Sequence, residues 1–172
     1  PTSGNVTVLQ KIEGVNTLSG RNVTASLVLS TTETFTATLY GMQNFGTSGS
    51  ASVTTSGTLV SSSSLARKNL TFSIPSTSGK TIGANNYLEF GITMPVRSTA
   101  GINITDVQLE EGNYPTAVER RPYGLEFYLC QRYYEILTVD VFGYGAGNVG
   151  SCMPYSAPKR SIPAVVQIAN NV

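Results

Sequence analysis

The sequence predicts an all-β chain: a jelly-roll-like antiparallel β-sandwich followed by a short helix and a small β segment. Three observations carry that expectation. Apolar and polar residues alternate with period two in one run after another, tracts rich in Gly, Ser and Asn separate the runs, and only 12% of the 172 residues are charged. Period-two alternation places one face of a strand on a core and the other in water or on a ligand. Short strands at this spacing read as a sandwich or jelly roll. The scarcity of charge argues against a long exposed helix or coiled coil.

Asn5 to Ile12 is the first strand candidate. Val23, Ala25, Leu27 and Leu29 share one parity against Thr24 and Ser26, and Phe35, Ala37 and Leu39 repeat the pattern against Thr36, Thr38 and Tyr40. Leu70, Phe72 and Ile74 alternate with Thr71 and Ser73. Leu88, Phe90, Ile92 and Met94 alternate with Tyr87, Glu89 and Thr93. Branching at Cβ suits the Thr-rich outer faces to pleated structure. From Ile102 to Leu109 the parity changes, since Ile102 and Ile104 are in phase but Val107 and Leu109 are not. A slip of one residue is what a β-bulge produces, and it belongs near Thr105 and Asp106. Turn-rich tracts lie at Asn16–Gly20, Asn44–Ser50, Ser61–Ser64, Ser76–Gly79 and Arg97–Gly101.

The texture changes at Glu119–Gly124, where charge concentrates and Pro122 and Gly124 interrupt any strand. Leu125 to Leu137 then carries a helical stripe of Leu125, Leu129 and Tyr133, flanked by Cys130, Tyr134 and Leu137. A helix this short is marginal alone in water, so its stripe needs a partner. Val139–Phe142, Cys152–Tyr155 and Ala164–Ala169 read as β-like. The chain thus divides into residues 1–122, the sandwich, and residues 123–172, the helix and a small β segment.

Composition removes several functions. The chain has no His, so no Ser-His-Asp triad, Cys-His dyad or imidazole metal site exists. A formal charge of +1 with no basic run argues against nucleic acid as a partner. No apolar stretch is long enough to span a bilayer, so no membrane insertion is expected, and Pro1–Gly4 shows no signal-peptide pattern. Cys130 and Cys152 match no zinc spacing and read as two buried free thiols, with a disulfide as the alternative. No loop clusters the carboxylates that calcium needs. Neither a metal nor a cofactor is expected.

Two motifs imitate nucleotide sites. Gly145-Ala-Gly147-Asn-Val-Gly150 has the letters of a dinucleotide fingerprint, but Pro154 and Pro158 follow where a long helix should open. Gly79-Lys80-Thr81 resembles the end of a P-loop, yet Ile74 stands where that motif needs Gly. Asn-x-Thr triplets at Asn5, Asn22, Asn69 and Asn103 read as turn and strand chemistry rather than glycan acceptors. Glycoside hydrolysis needs only paired carboxylates, and Glu89, Asp106, Glu110 and Glu111 are the candidates. Glu110 and Glu111 end a strand beside Gly112, while Glu89 lies next to Tyr87 on a polar face and reads as a binding group.

Five strings, in order, resemble one family: the carbohydrate-binding-like jelly roll with a trimerising segment near the C-terminus of tailed-bacteriophage tail fibres and tailspikes. They are Gln10–Gly20, Gln43–Gly49, Val107-Gln-Leu-Glu-Glu-Gly112, Glu119-Arg-Arg-Pro-Tyr-Gly124 and Leu129-Cys-Gln-Arg-Tyr-Tyr-Glu135. The resemblance implies a non-catalytic receptor-binding module of the virion, a homotrimer joined to other tail proteins, that recognises bacterial surface polysaccharide or lipopolysaccharide. The alternative is a structural trimerisation tip or collar without its own ligand. Relatives carry Trp in the strand matching Ser26–Leu29 and before the strand matching Asn69–Ile74, where this chain, with no Trp, has Leu27–Leu29 and Ser64–Arg67. Tyr40, Tyr87 and Phe45 would then supply the stacking surfaces, with Gln43, Asn44, Glu89 and Arg97 as polar contacts. The resemblance places Leu125, Leu129, Tyr133 and Tyr134 at the contact between protomers. It also implies that Pro1 and Val172 lie inside longer flanking regions.

Overall fold

The computed structural model describes residues 4–95, 101–137 and 155–166. The chain forms two compact units, Pro1–Glu119 and Arg120–Val172. The division falls inside the stretch where the texture of the sequence changes. Among the described residues, unit one contains seven strands: β1 (Asn5–Glu13), β2 (Asn22–Thr31), β3 (Thr36–Asn44), β4 (Val53–Val60), β5 (Ala66–Ser73), β6 (Tyr87–Pro95) and β7 (Ile102–Glu111). They build two antiparallel sheets, ordered β1-β6-β3-β4 and β5-β2-β7. The chain changes sheet at every connection except β3 to β4, so consecutive strands face each other across a core instead of lying side by side. This is an all-β sandwich, as the alternation requires.

The core is the apolar parity of each strand. Val23, Ala25, Leu27 and Leu29 from one sheet meet Ala37, Leu39, Leu88, Phe90, Ile92 and Met94 from the other, all buried. Each large side chain removed from water contributes about 1.5–3 kcal/mol. The slip in β7 is real: its register against β2 shifts between Ser26 and Val28, and Asp106 takes φ 51°. An extra residue there re-phases the strand, so that Ile104 and Leu109 both pack on the core. β4 was not legible as a strand, because its inward parity runs Val53, Thr55, Gly57, Leu59. Gly57 is required by packing: a Cβ would lie 2.8 Å from Leu70 Cδ2 on the facing strand.

At one end of the sandwich three loops are knitted by backbone bonds. The Thr47 amide donates to the Ala84 carbonyl (2.9 Å), Ser50 to Thr81 (2.9 Å) and Gly20 to Ile74 (3.0 Å). Beneath them Val15 and Phe45 are buried. Gly79-Lys80-Thr81 belongs to these loops and opens no helix.

β2 is buried on both faces. Thr24 and Ser26 point away from the core, yet each is 0% exposed. Residues 112–119 form a strap bonded to that outer face. The Thr24 hydroxyl donates to the Gly112 carbonyl (2.9 Å), and the Arg67 guanidinium donates to Ser26 Oγ (2.7 Å) and the Thr116 carbonyl (2.9 Å). Glu110 fixes the strap by accepting from the Thr116 amide (2.8 Å) and the Thr116 hydroxyl (2.6 Å). Gln108 accepts from the Glu119 amide (2.8 Å). Glu110 is therefore a clamp, not the solvated strand-end charge that its position beside Gly112 suggested.

Unit two contains α1 (Tyr123–Gln131). Its first turn closes on Pro122, whose carbonyl accepts from Leu125 (3.0 Å) and Glu126 (3.2 Å). The expected stripe ran to Leu137, but the helix stops at Gln131. Tight bonds from Arg132 to Leu129 (3.3 Å) and Tyr133 to Cys130 (3.0 Å) end it, before aromatic residues of lower helix propensity. Cys130 is a free thiol and is exposed, contrary to the buried thiol expected; Cys152 lies outside the described residues. Beyond the helix, Glu135 and Lys159 pair at 2.6 Å with side chains 5% and 10% exposed. The Ser156 amide also donates to Glu135 (3.3 Å), fastening residues 155–160 to the end of α1. The hydrogen bond from Lys159 holds the Glu135 carboxyl below the usual range. Residues 155–166 contain no strand, and Val139–Phe142 and Gly145–Gly150 lie outside the described residues.

The hydrogen bonds from Thr116 hold the Glu110 carboxyl below its ordinary value of 4.5. A carboxyl depressed in the folded state stabilises it above the unfolded value, and this is lost as pH falls through the lowered one. Amide protection at Thr116, corrected for intrinsic exchange, should therefore drop on acidification below 4.5. In Glu110→Gln it should already be low at neutral pH. Protection indifferent to both changes would refute the clamp.

Candidate functional site on the outer sheet face

The outer face of the four-stranded sheet collects the polar parity of β1, β6, β3 and β4. Register decides who meets whom. Lys11 of β1 and Met42 of β3 both lie opposite Glu89 of β6, while Tyr40 lies opposite Gly91 and Asn44 opposite Tyr87. Directly opposed residues in antiparallel strands project from the same face, so these side chains form one surface.

Gly91 shapes its centre. A Cβ there would fall 2.3 Å from Tyr40 Cζ and 2.5 Å from its hydroxyl oxygen, so the Tyr40 ring lies flat across bare backbone. In that position its hydroxyl donates to Glu89 Oε1 at 2.9 Å. Glu89 is 7% exposed. Its second oxygen has no hydrogen-bond donor among the described residues and remains open to solvent. Burial, and then the Glu89 carboxylate, push the Tyr40 phenol up to about 12. Tyr40 is therefore a fixed proton donor at physiological pH, while Glu89 presents an acceptor.

Tyr87 is placed separately. The Asn44 side-chain amide donates to its hydroxyl at 3.2 Å, and Asn44 is itself held by the Gly46 amide at 2.9 Å. The Lys11 ammonium stands 4.4 Å from the Tyr87 ring centroid, a cation–π contact. Thr7 and Thr93 hydroxyls meet at 2.9 Å further along the same face. The surface thus offers two half-buried tyrosine rings, one carboxylate oxygen, one ammonium and several hydroxyls.

Of the residues expected to bind ligand, Tyr40, Asn44, Tyr87 and Glu89 come together here. Phe45 and Gln43 do not: each is 1% exposed. Phe45 plugs the end of the sandwich, and Gln43 points inward to donate to the Pro75 carbonyl at 2.9 Å. The parity of Ala37, Leu39 and Gly41 continues to Gln43 and could have placed it inside. Arg97 lies outside the described residues. Lys11 and Gly91 were missed as site residues, although a Gly inside a regular strand is a known mark of close approach by another group. The residues expected at the contact between protomers, Leu125 and Leu129 in α1 and Tyr133 and Tyr134 beyond its end, are 38–70% exposed. Glu110 has both oxygens engaged in the strap. Among the described residues, no three His, Cys, Asp or Glu side chains converge to hold a metal. No helix among them is long and apolar enough to cross a membrane.

No family model matches the chain, and no curated protein matches it significantly.

A phenol whose folded value lies above its unfolded one stabilises the fold fully below the unfolded value, and loses that effect as pH rises through the folded one. Stability should thus decline between pH 10.0 and about 12 through Tyr40, and Tyr40→Phe should remove that part of the decline. Gly91→Ala should displace the ring and return this titration, followed by tyrosinate absorbance, toward 10.0. A titration unchanged in Gly91→Ala would disprove the ring placement.

Proposed function

We propose that this chain is a non-catalytic adhesion module of a phage tail fibre or tailspike, which recognises bacterial surface polysaccharide or lipopolysaccharide as a homotrimer in the virion. The observation that carries the reading is the Tyr40–Glu89 pair laid across Gly91. Sugar hydroxyls need both donors and acceptors, and sugar C–H faces need flat apolar partners. Tyrosine rings beside an open carboxylate oxygen and an ammonium supply all three. The alternation of strands between two sheets, with β1-β6-β3-β4 over β5-β2-β7, favours the jelly-roll form of the sandwich. The tail-fibre context comes from the Gln-Leu-Glu-Glu-Gly and Cys-Gln-Arg-Tyr-Tyr strings. Weak single sites multiplied over three protomers would give the avidity that adhesion requires.

The trimer rests on α1. Leu125 (49%), Phe127 (52%), Tyr128 (47%) and Leu129 (38%) are all exposed. A helix apolar on several sides ordinarily lies buried. The same observation favours the second reading, a structural trimerisation tip or collar without a ligand.

A glycan array separates the two. Tyr40→Ala and Tyr87→Ala should each weaken binding at least about tenfold, about 1.4 kcal/mol, and reduce adsorption to host cells. No glycan binding at high multivalency, with adsorption unaffected, would favour the structural reading. Leu129→Asp should dissociate the oligomer by light scattering; an unchanged mass would remove α1 from the interface.

A further inference from the structure

Lys11 and Glu89 are direct cross-strand partners of opposite charge on one face, yet they form no ion pair. Opposed charges at such positions normally attract. Here each is held by a different tyrosine. Glu89 accepts from Tyr40 at 2.9 Å, and the Lys11 ammonium stands over Tyr87 at 4.4 Å. Tyr40 and Tyr87 thus keep the two charges apart, leaving a carboxylate oxygen that can only accept and an ammonium that can only donate. Asn5, Thr7, Leu9 and Glu13 are the other β1 residues of this parity, with Leu9 opposite Gly91 and Glu13 opposite Tyr87.

We infer that this face selects acidic sugars, with the ligand carboxylate on Lys11 and ring hydroxyls donating to Glu89. The inference rests on the reading of the face as a glycan site and adds the class and orientation of the sugar. A ligand bearing only hydroxyls leaves the Lys11 ammonium with neutral acceptors. A ligand with two anionic groups meets repulsion from Glu89. A hexuronate unit answers both demands, because its ring carries a carboxylate at one edge and a run of hydroxyls at the other. The Glu89 charge then fixes polarity: the sugar binds with its hydroxyl edge toward β3 and its carboxylate toward β1.

The test uses the whole chain and two probes, a uronate oligosaccharide and the same oligosaccharide with its carboxylates reduced to alcohols, titrated by calorimetry. The acidic form should bind at least about tenfold tighter, with an advantage that shrinks as salt rises. Lys11→Met, which keeps the apolar stem, should weaken the acidic form by at least about tenfold more than the reduced form and so abolish the difference; Lys11→Arg should preserve it. Equal affinity for both forms, or a preference that survives Lys11→Met, overturns the inference and leaves the glycan reading standing. Binding of neither form overturns both. Equal binding of an acidic peptide at matched charge also overturns it, because charge alone would then account for the preference.

Discussion

The structure depends on β2 being buried on both faces. Its inward parity is ordinary core, but Thr24 and Ser26 on the outward side are shut off from water as completely as Leu27. A buried hydroxyl without a partner costs about 1–3 kcal/mol, so this central strand is tenable only when something polar covers it. Residues 112–119 supply that cover, and Arg67, Gln108 and Glu110 hold them in place. The Gln-Leu-Glu-Glu-Gly string that carried the family resemblance therefore has a physical task in this chain. Gln108 and Glu110 clamp, Leu109 packs on the core, and Gly112 turns the chain back with φ 133°.

The other sheet solves the opposite problem. Among the described residues of this unit no strap roofs its outer face, so polar groups there satisfy one another or meet solvent. Gly91 is the decisive residue because it lowers the surface by one side chain in the middle of the sheet. Tyr40 fills the space that a side chain at position 91 would take, and Glu89, bonded to the Tyr40 hydroxyl, is all but buried. The result is a shallow, chemically varied surface on rigid strands, where side-chain ordering is already in place before a ligand arrives.

Much of the fold was legible because alternation is local. The parity of β2, β3, β6 and the C-terminal half of β5 could be read directly, and the slip at Asp106 betrayed the bulge before any partner strand was known. β4 escaped because Thr55 and Gly57 stand on its inner face. The outward direction of Tyr40, Tyr87 and Glu89 was equally local. Their grouping was not: Tyr40 and Glu89 are 49 residues apart in sequence, and register, not parity, brings them together. Phe45 and Gln43 illustrate the reverse error, in which residues beside a turn looked exposed although β3 parity and loop closure turn both inward. The end of α1 was misjudged because a spacing of four continues in sequence past the point where the backbone has already tightened.

The strap has a mechanical meaning. The chain leaves the sandwich at Glu119, after the strap has run back along the outer face of β2. A pull applied from the C-terminal side must first act on the contacts of Gln108, Glu110 and Arg67 with residues 116–119. Those bonds lie ahead of β7 in the line of force, so the edge strand is shielded from being unzipped from the end. A domain anchored in this way meets tension first at side-chain clamps set on β5 and β7, before the main-chain ladder at the end of the edge strand.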